Sequence, residues 1–374
     1  MNLARGYLEI RKDLLQSDYT ELKNFLAGKC AMICIVKCDG YGFDGVREAL
    51  LLQEWGAEFF GVACSAEAVM LRKNGIRGDI LILGHTLEEA IPDLWKYDLI
   101  QTVGDIGYGR YLAEKASGDQ ASVRVHFKID TGMHRLGITQ ETPMEAIRKL
   151  YDDPCLHAEG AFSHFAAADS FRAEDRTFTL WQKETFDRWL KKAEDAGMRF
   201  ACTHMSASAA IVNYPEFLKD YTHCRPGILF HGFDSGDMAH PYPRKEVLSL
   251  KSYVGKIDVL RKGETIGYGR TYTAEKDLTV VTVPVGYGDG IPRNYRGGEV
   301  LIHGVRCPII GRISMDQLCV DASEAGNLSI ADPVLLIGKD RDEEITLREM
   351  ADKAGTIPNE IAAKFTSRLP RIYI

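Results

Sequence analysis

Eight short apolar runs alternate with longer charged stretches of helical period over the first 230 residues of this 374-residue chain. Strands that are separated by such stretches run parallel, because the intervening helix carries the chain back across the sheet. Eight strand–helix units predict an α/β fold with a (β/α)₈ TIM-type barrel, and a doubly wound open sheet is the alternative. The predicted strands are Met32–Val36, Phe59–Ala63, Ile80–Leu83, Ile100–Val103, Val123–Ile129, Ala158–Phe162, Phe200–His204 and Thr222–Arg225.

The barrel prediction also indicates where chemistry is to be sought. Active sites of such barrels lie where the strands end and the loops to the helices begin. Five side chains with basic nitrogens are predicted at these ends: Lys37, Lys128, His164, His204 and Arg225. The helices predicted between the strands are Asp44–Gln53, Ser65–Lys73, Pro143–Leu150, Glu174–Ala196 and Ala207–Val212.

The pattern changes after about residue 240, where strand-like runs follow one another closely and are joined by Gly, Asp and Asn turns. This texture is typical of a mostly β module. Gly, Asp, His and Pro cluster at Gly236–Pro243, so we predict a barrel domain at 1–238 and a β C-terminal domain at 239–374. Its predicted strands are Val247–Ile257, Thr279–Val285, Glu299–Ile302, Arg306–Ser314, Gln317–Asp321 and Pro333–Ile337, with helices at Thr346–Ala354 and Asn359–Phe365.

Composition narrows the class of protein. A net charge of -7 disfavours nucleic acid and anionic membranes as partners. The nine cysteines are odd in number and form no CxxC pair, which favours a reducing compartment without disulfides or a metal site. No run of about 18 apolar residues is present, so this chain is expected to be soluble and cytoplasmic, without a membrane segment.

Lys37 is placed for chemistry rather than for packing. It follows the apolar Ile35-Val36 and precedes the turn residues Asp39-Gly40. Partial desolvation at a strand end lowers the pKa of an amine and frees its lone pair to form a Schiff base. The alternative is an ion pair with a carboxylate at the same strand end.

Two later segments suggest an anion site. Arg225 is followed by Pro226-Gly227, and a glycine there lets backbone N–H groups approach an anion closely. Ser208 lies near the start of a short predicted helix and offers a hydroxyl. In the simpler alternative, Ser208 only caps the helix and Arg225 forms a surface salt bridge. A phosphate cradle combined with a Schiff-base lysine suggests pyridoxal phosphate as the cofactor.

Longer segments around these residues resemble the alanine racemases, fold-type-III enzymes that use pyridoxal phosphate. The resemblance covers nearly the whole chain and implies a barrel domain, a β domain and a head-to-tail homodimer with shared active sites. The matching segments are VKCDGYG at 36–42, KIDTGMHRLG at 128–137, SHFAAAD at 163–169, RPGILFHG at 225–232, IGYGRTY at 266–272, VGYGDG at 285–290, GRISMDQ at 311–317 and RLPRIY at 368–373.

The resemblance implies catalytic roles for Lys37 and Tyr268. Lys37 would hold the cofactor, and Tyr268 would reach into the barrel of the partner subunit. Racemisation needs acid–base groups on both faces of a planar carbanion, which one lysine and one tyrosine supply. Arg225 would contact the pyridine nitrogen, His204 would buttress Arg225, and His164 would belong to the same hydrogen-bonded chain.

Further roles carry over in the same way. Lys128 matches a lysine that is carbamylated in many members, and as an anion it would hold Arg135. An unmodified lysine would instead repel Arg135. The implied phosphate contacts are Tyr41, Ser208, Gly227 and Ile228, and the implied substrate contacts are Arg135, Lys128, Met315, Asp316 and Asn359, with Met315 and Asp316 donated by the second subunit.

The sequence departs from the family at Asn359, where tyrosine is common, and at Ala207, where asparagine is common. Asparagine is smaller than tyrosine and offers a donor and an acceptor, so the substrate pocket should gain room and a partner for a hydroxyl. Serine would benefit, as in the racemase domain of the VanT-type glycopeptide-resistance proteins, which this chain most resembles. Neutral drift at a tolerant position is the alternative. Ala207 is expected to weaken cofactor binding slightly.

The predicted function is a pyridoxal-phosphate racemase that interconverts L- and D-serine, and L- and D-alanine, by a two-base mechanism. Its products would serve peptidoglycan synthesis and glycopeptide resistance, and the parent of this soluble domain would be membrane-anchored. A strict alanine racemase is the first alternative. A cofactor carrier and a fold-III decarboxylase are the others; a carrier would be a lone barrel, whereas this chain adds a β module with Tyr268.

Overall fold

The computed structural model describes residues 5–241, 246–295 and 297–374. It divides into two compact units. The barrel unit comprises residues 19–230 and 236–243, and the β unit comprises residues 1–18, 231–235 and 244–374. No helix in these described ranges is long and apolar enough to cross a membrane.

The barrel unit is built on one sheet of parallel strands, as the alternating pattern predicts. The first predicted strand is interrupted at Ile33: its first half pairs with the last strand of the barrel and its second half pairs with the next strand along the chain. The split strand therefore nearly closes the sheet, and the open-sheet alternative is wrong. After β1 (Tyr7–Ile10), the barrel strands are β2 (Ala31–Met32), β3 (Cys34–Ile35), β4 (Phe59–Val62), β5 (Asp79–Ile82), β6 (Ile100–Val103), β7 (Val123–Lys128), β8 (Leu156–Phe162), β9 (Cys202–Ala207) and β10 (His223–Arg225).

Alternate strand residues point into the barrel, where they form an apolar cluster that includes Ile33, Ile35, Phe59 and Leu81. This packed interior fixes the strand ends, and so the side chains that follow them. The helices are α1 (Lys12–Leu26), α2 (Gly45–Glu54), α3 (Ser65–Lys73), α4 (Pro92–Lys96), α5 (Ile106–Gly118), α6 (Met144–Tyr151), α7 (Ala173–Asp195) and α8 (Ser208–Asn213).

The β unit contains a large, mostly antiparallel sheet and a separate two-stranded ribbon, β13–β14. The strand order in the large sheet is β12-β15-β18-β17-β16-β19-β11-β1-β21, with β20 paired to β19. The elements are β11 (Leu248–Tyr253), β12 (Lys256–Leu260), β13 (Thr265–Ile266), β14 (Tyr272–Thr273), β15 (Leu278–Val283), β16 (Glu299–Ile302), β17 (Val305–Ile310), β18 (Leu318–Asp321), β19 (Pro333–Asp340), β20 (Glu343–Ile345), α9 (Leu347–Ala354), α10 (Pro358–Lys364) and β21 (Arg371–Tyr373).

One predicted strand of this unit is wrong. The apolar run Val247–Ile257 forms two strands, because its halves pair with different partners: β11 with β1 and β19, and β12 with β15. The break falls at Val254-Gly255, whose backbone N–H groups donate to Asp332 and Thr282 instead of continuing one ladder.

Strand β1 was not expected from the sequence. It pairs antiparallel with β11 and parallel with β21, so the beginning and the end of the chain meet in one sheet. Leu8 and Ile10 are fully buried there. Four residues are too few for a period-2 pattern to stand out, and the partners lie hundreds of residues away.

Candidate active site

The backbone that follows Lys37 forms an unusual turn. The chain runs from β3 into residues 37–41, and the backbone is left-handed at Cys38, Asp39 and Tyr41, with φ of 56°, 55° and 56°. The Asp39 carboxylate accepts the Gly45 N–H at 2.9 Å and ties the turn to the start of α2. The turn therefore presents Lys37 at the strand end, where the sequence places it.

The environment of Lys37 suits a nucleophilic amine. Burial lowers its pKa, and the nearby Arg135 and Arg225 lower it further. A larger fraction of the amine is then neutral near physiological pH, which Schiff-base chemistry requires.

Arg225 is buried, with only 4% of its surface exposed, so the alternative of a surface salt bridge is wrong. One terminal nitrogen donates to the carbonyls of Ser163 (2.8 Å) and Met205 (2.9 Å) and contacts His164 Nδ1 at 2.9 Å. The other contacts His204 Nδ1 at 2.6 Å. Burial lowers the pKa of Arg225 to about 10, so the guanidinium remains charged at neutral pH.

The hydrogen bonds of Arg225 fix the tautomers of a row of histidines. A guanidinium has donors only, so His204 Nδ1 must accept and His204 Nε2 must carry the proton. That proton points at His126 Nδ1, 3.0 Å away. Burial is the main cause that lowers the pKa values of His204 and His164, and it lowers that of His126 to about 3. The row is therefore neutral and orients Arg225.

His126 is a residue that the sequence analysis missed. Its only signal in the sequence is a histidine among the apolar residues of β7. A polar ring that is buried there needs a hydrogen-bond partner, which indicates a buried polar contact. His126, Cys202 and His204 also place possible metal-binding atoms within 4.8 Å of one another. These atoms are already engaged: the two rings bind each other, Cys202 contacts His223 at 3.3 Å, and burial raises the pKa of the thiol to about 12. They form a hydrogen-bonded polar core.

Three of the predicted phosphate contacts meet in the barrel unit. Ser208 Oγ accepts the Gly227 N–H at 3.1 Å. A Cβ added to Gly227 would lie 2.5 Å from Tyr41 Oη, so only glycine allows the tyrosine to pack against this backbone. Ile228 follows, buried. Two hydroxyls that converge beside a closely packed glycine backbone fit a phosphate group. Ala207, not Ser208, occupies the helix-cap position, so the capping alternative is wrong.

Lys128 lies at the end of β7 and is 5% exposed. Its amine donates to the Leu136 carbonyl. Burial, followed by the charges of Arg135 and Arg225, lowers the pKa of Lys128 to about 8. The unmodified lysine and Arg135 thus disfavour each other, as the sequence analysis expected.

Four further predicted residues lie in the β unit, whereas Arg135 lies in the barrel unit. Tyr268 sits on a turn between Gly267 and Gly269, both with positive φ, and is 68% exposed. Met315 is 52% exposed. Asp316 is paired with Arg368 at 2.6 Å. Asn359 lies in the first turn of α10, and its Oδ1 is buried without a hydrogen-bond partner among the described residues.

A parallel barrel with a lysine of lowered pKa at a strand end, a buried arginine and a phosphate cradle has the features of a pyridoxal-phosphate enzyme. The family model for the alanine racemase N-terminal domain matches residues 10–235, and that for the alanine racemase C-terminal domain matches residues 247–373. The chain belongs to the alanine racemase family. It is a pyridoxal-phosphate-dependent amino-acid racemase.

Individual alanine racemases match this chain over nearly their whole length. An alanine racemase from Methanococcus maripaludis is 33% identical over 374 residues, which cover 98% of each chain. The solved structure of an alanine racemase from Clostridium difficile 630 superposes with a TM-score of 0.94 at 32% identity, covering 100% of this chain and 97% of that one. The alanine racemase from E. faecalis gives a TM-score of 0.90 at 33% identity, covering 99% and 98%.

Proposed function

We propose that this chain interconverts the enantiomers of serine and of alanine by a two-base mechanism in which Lys37 and Tyr268 are the bases. Pyridoxal phosphate held at Lys37 would supply an electron-withdrawing ring that stabilises negative charge at Cα of the amino acid. The protein must then remove a proton from one face of Cα and return one to the other face.

Lys37 and Arg225 are suited to separate parts of this task. The lowered pKa of Lys37 would let its amine accept a proton from Cα of the bound amino acid. Arg225 would donate a hydrogen bond to the ring nitrogen of the cofactor. Because a guanidinium holds its proton firmly, that nitrogen would stay largely unprotonated, which limits the electron withdrawal and suppresses transamination.

We propose that the chain acts as a homodimer in which the β unit of one subunit completes the barrel site of the other. The exposure of Tyr268 and Met315 supports this proposal, since large side chains with assigned roles would otherwise face solvent. We also propose a cofactor-binding domain at 1–238 and a β domain at 239–374. The family models at residues 10–235 and 247–373 support this division, although residues 1–18 and 231–235 pack with the β unit.

The unpaired Oδ1 of Asn359 is the observation that supports serine as a substrate. A buried acceptor without a partner costs about 1–3 kcal/mol, and a ligand hydroxyl that donates to it would recover that cost. Serine differs from alanine by one such hydroxyl. A strict alanine racemase would have no use for this acceptor, and it remains the alternative function.

Asn359→Tyr is therefore expected to lower kcat/KM for L-serine about 30-fold while leaving kcat/KM for L-alanine within about threefold, because only serine loses a hydrogen bond. Both values are measured on purified protein loaded with the cofactor. Asn327→Tyr, at an exposed position of the same unit, is the control for the bulk of the new ring. Equal losses of kcat/KM for L-serine and L-alanine would instead favour a strict alanine racemase.

We also propose that Lys128 is carbamylated. Carbon dioxide adds to a neutral amine, and a pKa of about 8 makes that form abundant in mildly alkaline solution. The carbamate would be an anion beside Arg135, replacing a repulsive pair by an attractive one.

Carbamylation predicts a ¹³C-labelled carbamate signal in the wild-type protein incubated with labelled bicarbonate, and no such signal in Lys128→Glu. The signal should weaken as pH falls below about 8, because protonation removes the reactive amine. Lys128→Met should raise KM about tenfold and Lys128→Glu less, since the glutamate keeps the anion that orients Arg135. A wild-type spectrum without the labelled signal would contradict the modification.

The proposed cellular role is to supply D-serine and D-alanine in the cytoplasm for peptidoglycan and for glycopeptide resistance. This role depends on serine turnover. Failure to racemise serine would remove the resistance role and leave the racemase assignment intact.

A further inference from the structure

Glu67 links the residue after Lys37 to the neighbouring strand. It lies in the first turn of α3, just beyond β4. One carboxylate oxygen accepts the N–H of Cys38 at 2.6 Å, and the other accepts the N–H of Ala63 at 2.7 Å. Both oxygens are thus bound to backbone at the ends of two adjacent strands. Hydrogen bonds to an ionised acceptor are about twice as strong as neutral ones.

The turn that Glu67 holds is costly to form. A left-handed conformation costs about 1–2 kcal/mol for a residue other than glycine, and Cys38, Asp39 and Tyr41 all adopt it. Such a backbone persists only where its surroundings determine it. The bond from Glu67 to the Cys38 N–H acts on the residue next to Lys37, so it helps to set the direction in which the lysine leaves β3.

Glu67 also supplies negative charge. The groups acting on the Lys37 amine are Arg135 and Arg225, which lower its pKa, and Glu67 and the Cys38 thiol, which raise it. Of these four, only Glu67 is a carboxylate. Besides burial, which lowers the pKa most, the amine is therefore influenced by two arginines and by one acid that is fixed by backbone hydrogen bonds.

We propose that Glu67 is a positioning residue for Lys37: it holds the left-handed turn and places one negative charge beside the amine. The inference rests on the proposed role of Lys37 as the lysine that holds the cofactor. It assigns a role to a residue whose hydrogen bonds go to the backbone of Cys38 and Ala63.

Glu67→Gln removes the negative charge at nearly constant size, but its amide can accept only one of the two backbone N–H groups, because the amide nitrogen is a donor. It tests the charge together with one backbone hydrogen bond, and comparison with Glu67→Asp separates the two effects. The protein, freed of cofactor, is acylated with acetic anhydride over a range of pH. The Lys37 peptide is quantified by mass spectrometry against the peptide of exposed Lys276 as an internal reference. The titration of Lys37 should move to lower pH. In the reloaded enzyme, kcat/KM should fall about tenfold.

Glu67→Asp tests the hydrogen bonds to the backbone. Aspartate keeps the negative charge but is one methylene too short to reach the N–H groups of both Cys38 and Ala63. We expect the titration of Lys37 to stay near that of wild type, while the affinity for added pyridoxal phosphate falls about tenfold. Glu145→Gln, on the exposed face of α6, makes the same change of charge away from the turn and serves as the control.

The outcomes separate this inference from the proposed function. If Glu67→Gln and Glu67→Asp both behave like Glu145→Gln in titration and cofactor affinity, the positioning role is overturned. If Glu67→Gln is too unstable to assay, Glu67→Asp decides by its cofactor affinity. If borohydride instead fixes the cofactor to a lysine other than Lys37 in the wild-type protein, the proposed function fails first.

Discussion

Replacing Lys37 by alanine is expected to abolish racemisation of serine and alanine in both directions, with kcat lower by about 10⁴-fold or more. The variant loses both the amine that holds the cofactor and one of the two proposed bases. Activity is measured by the appearance of the opposite enantiomer on a chiral column. Borohydride treatment followed by mass spectrometry should detect cofactor on the Lys37 peptide of wild-type protein.

Lys96→Ala is the matched control for this experiment, since Lys96 is an exposed lysine of the same unit. It should keep wild-type activity and the borohydride-fixed adduct. Substantial turnover by Lys37→Ala would contradict the assignment of the catalytic lysine.

Tyr268→Phe is expected to lower racemisation about 10³-fold, because it removes a single hydroxyl that is proposed to transfer protons on one face of Cα. The fold should be unaffected, as the side chain is mostly exposed. The sharper readout is exchange of the Cα hydrogen in D₂O. One enantiomer should still exchange its hydrogen through Lys37 without inverting, while the other should not exchange.

Tyr272→Phe changes a second tyrosine of the same segment and should leave both reactions intact. Mixing the inactive Lys37→Ala and Tyr268→Phe chains then tests the shared site. In a mixed dimer one site carries both changes and the other carries neither, so random reassociation should restore about a quarter of the wild-type activity. Exchange of both enantiomers by Tyr268→Phe, or no recovery on mixing, would count against the two-base dimer.

Much of the barrel and its site followed from local patterns. Strand β6 and helix α3 have the predicted bounds, because each lies between turn residues that end it on both sides. The positions of Lys37, Lys128 and Arg225 at strand ends were also predictable, since an apolar run that stops at a cation and a turn is visible without the fold. An anion site at Ser208 and Gly227 was predicted from the residues themselves, whereas the part of Tyr41 was implied only by the family resemblance.

Other features depended on distant pairing. The run Val247–Ile257 looks like one strand, yet its two halves join different neighbours. Strand β1 is stabilised by partners at the opposite end of the chain. His126 and Glu67 acquire their roles only through residues that the barrel brings beside them.

The amino-acid order by itself determined where most strands and helices of the barrel form, that Lys37, Lys128 and Arg225 stand at strand ends, and which family the chain resembles. Periodicity, turn residues and motifs act over a few neighbouring positions, which is why these features were predictable. The tertiary structure decided the chemical state of those cations. Lys37 and Lys128 have lowered pKa values, and Arg225 remains a buried cation. Desolvation and the charges of residues far apart in sequence set these properties, and neither exists until the barrel has closed.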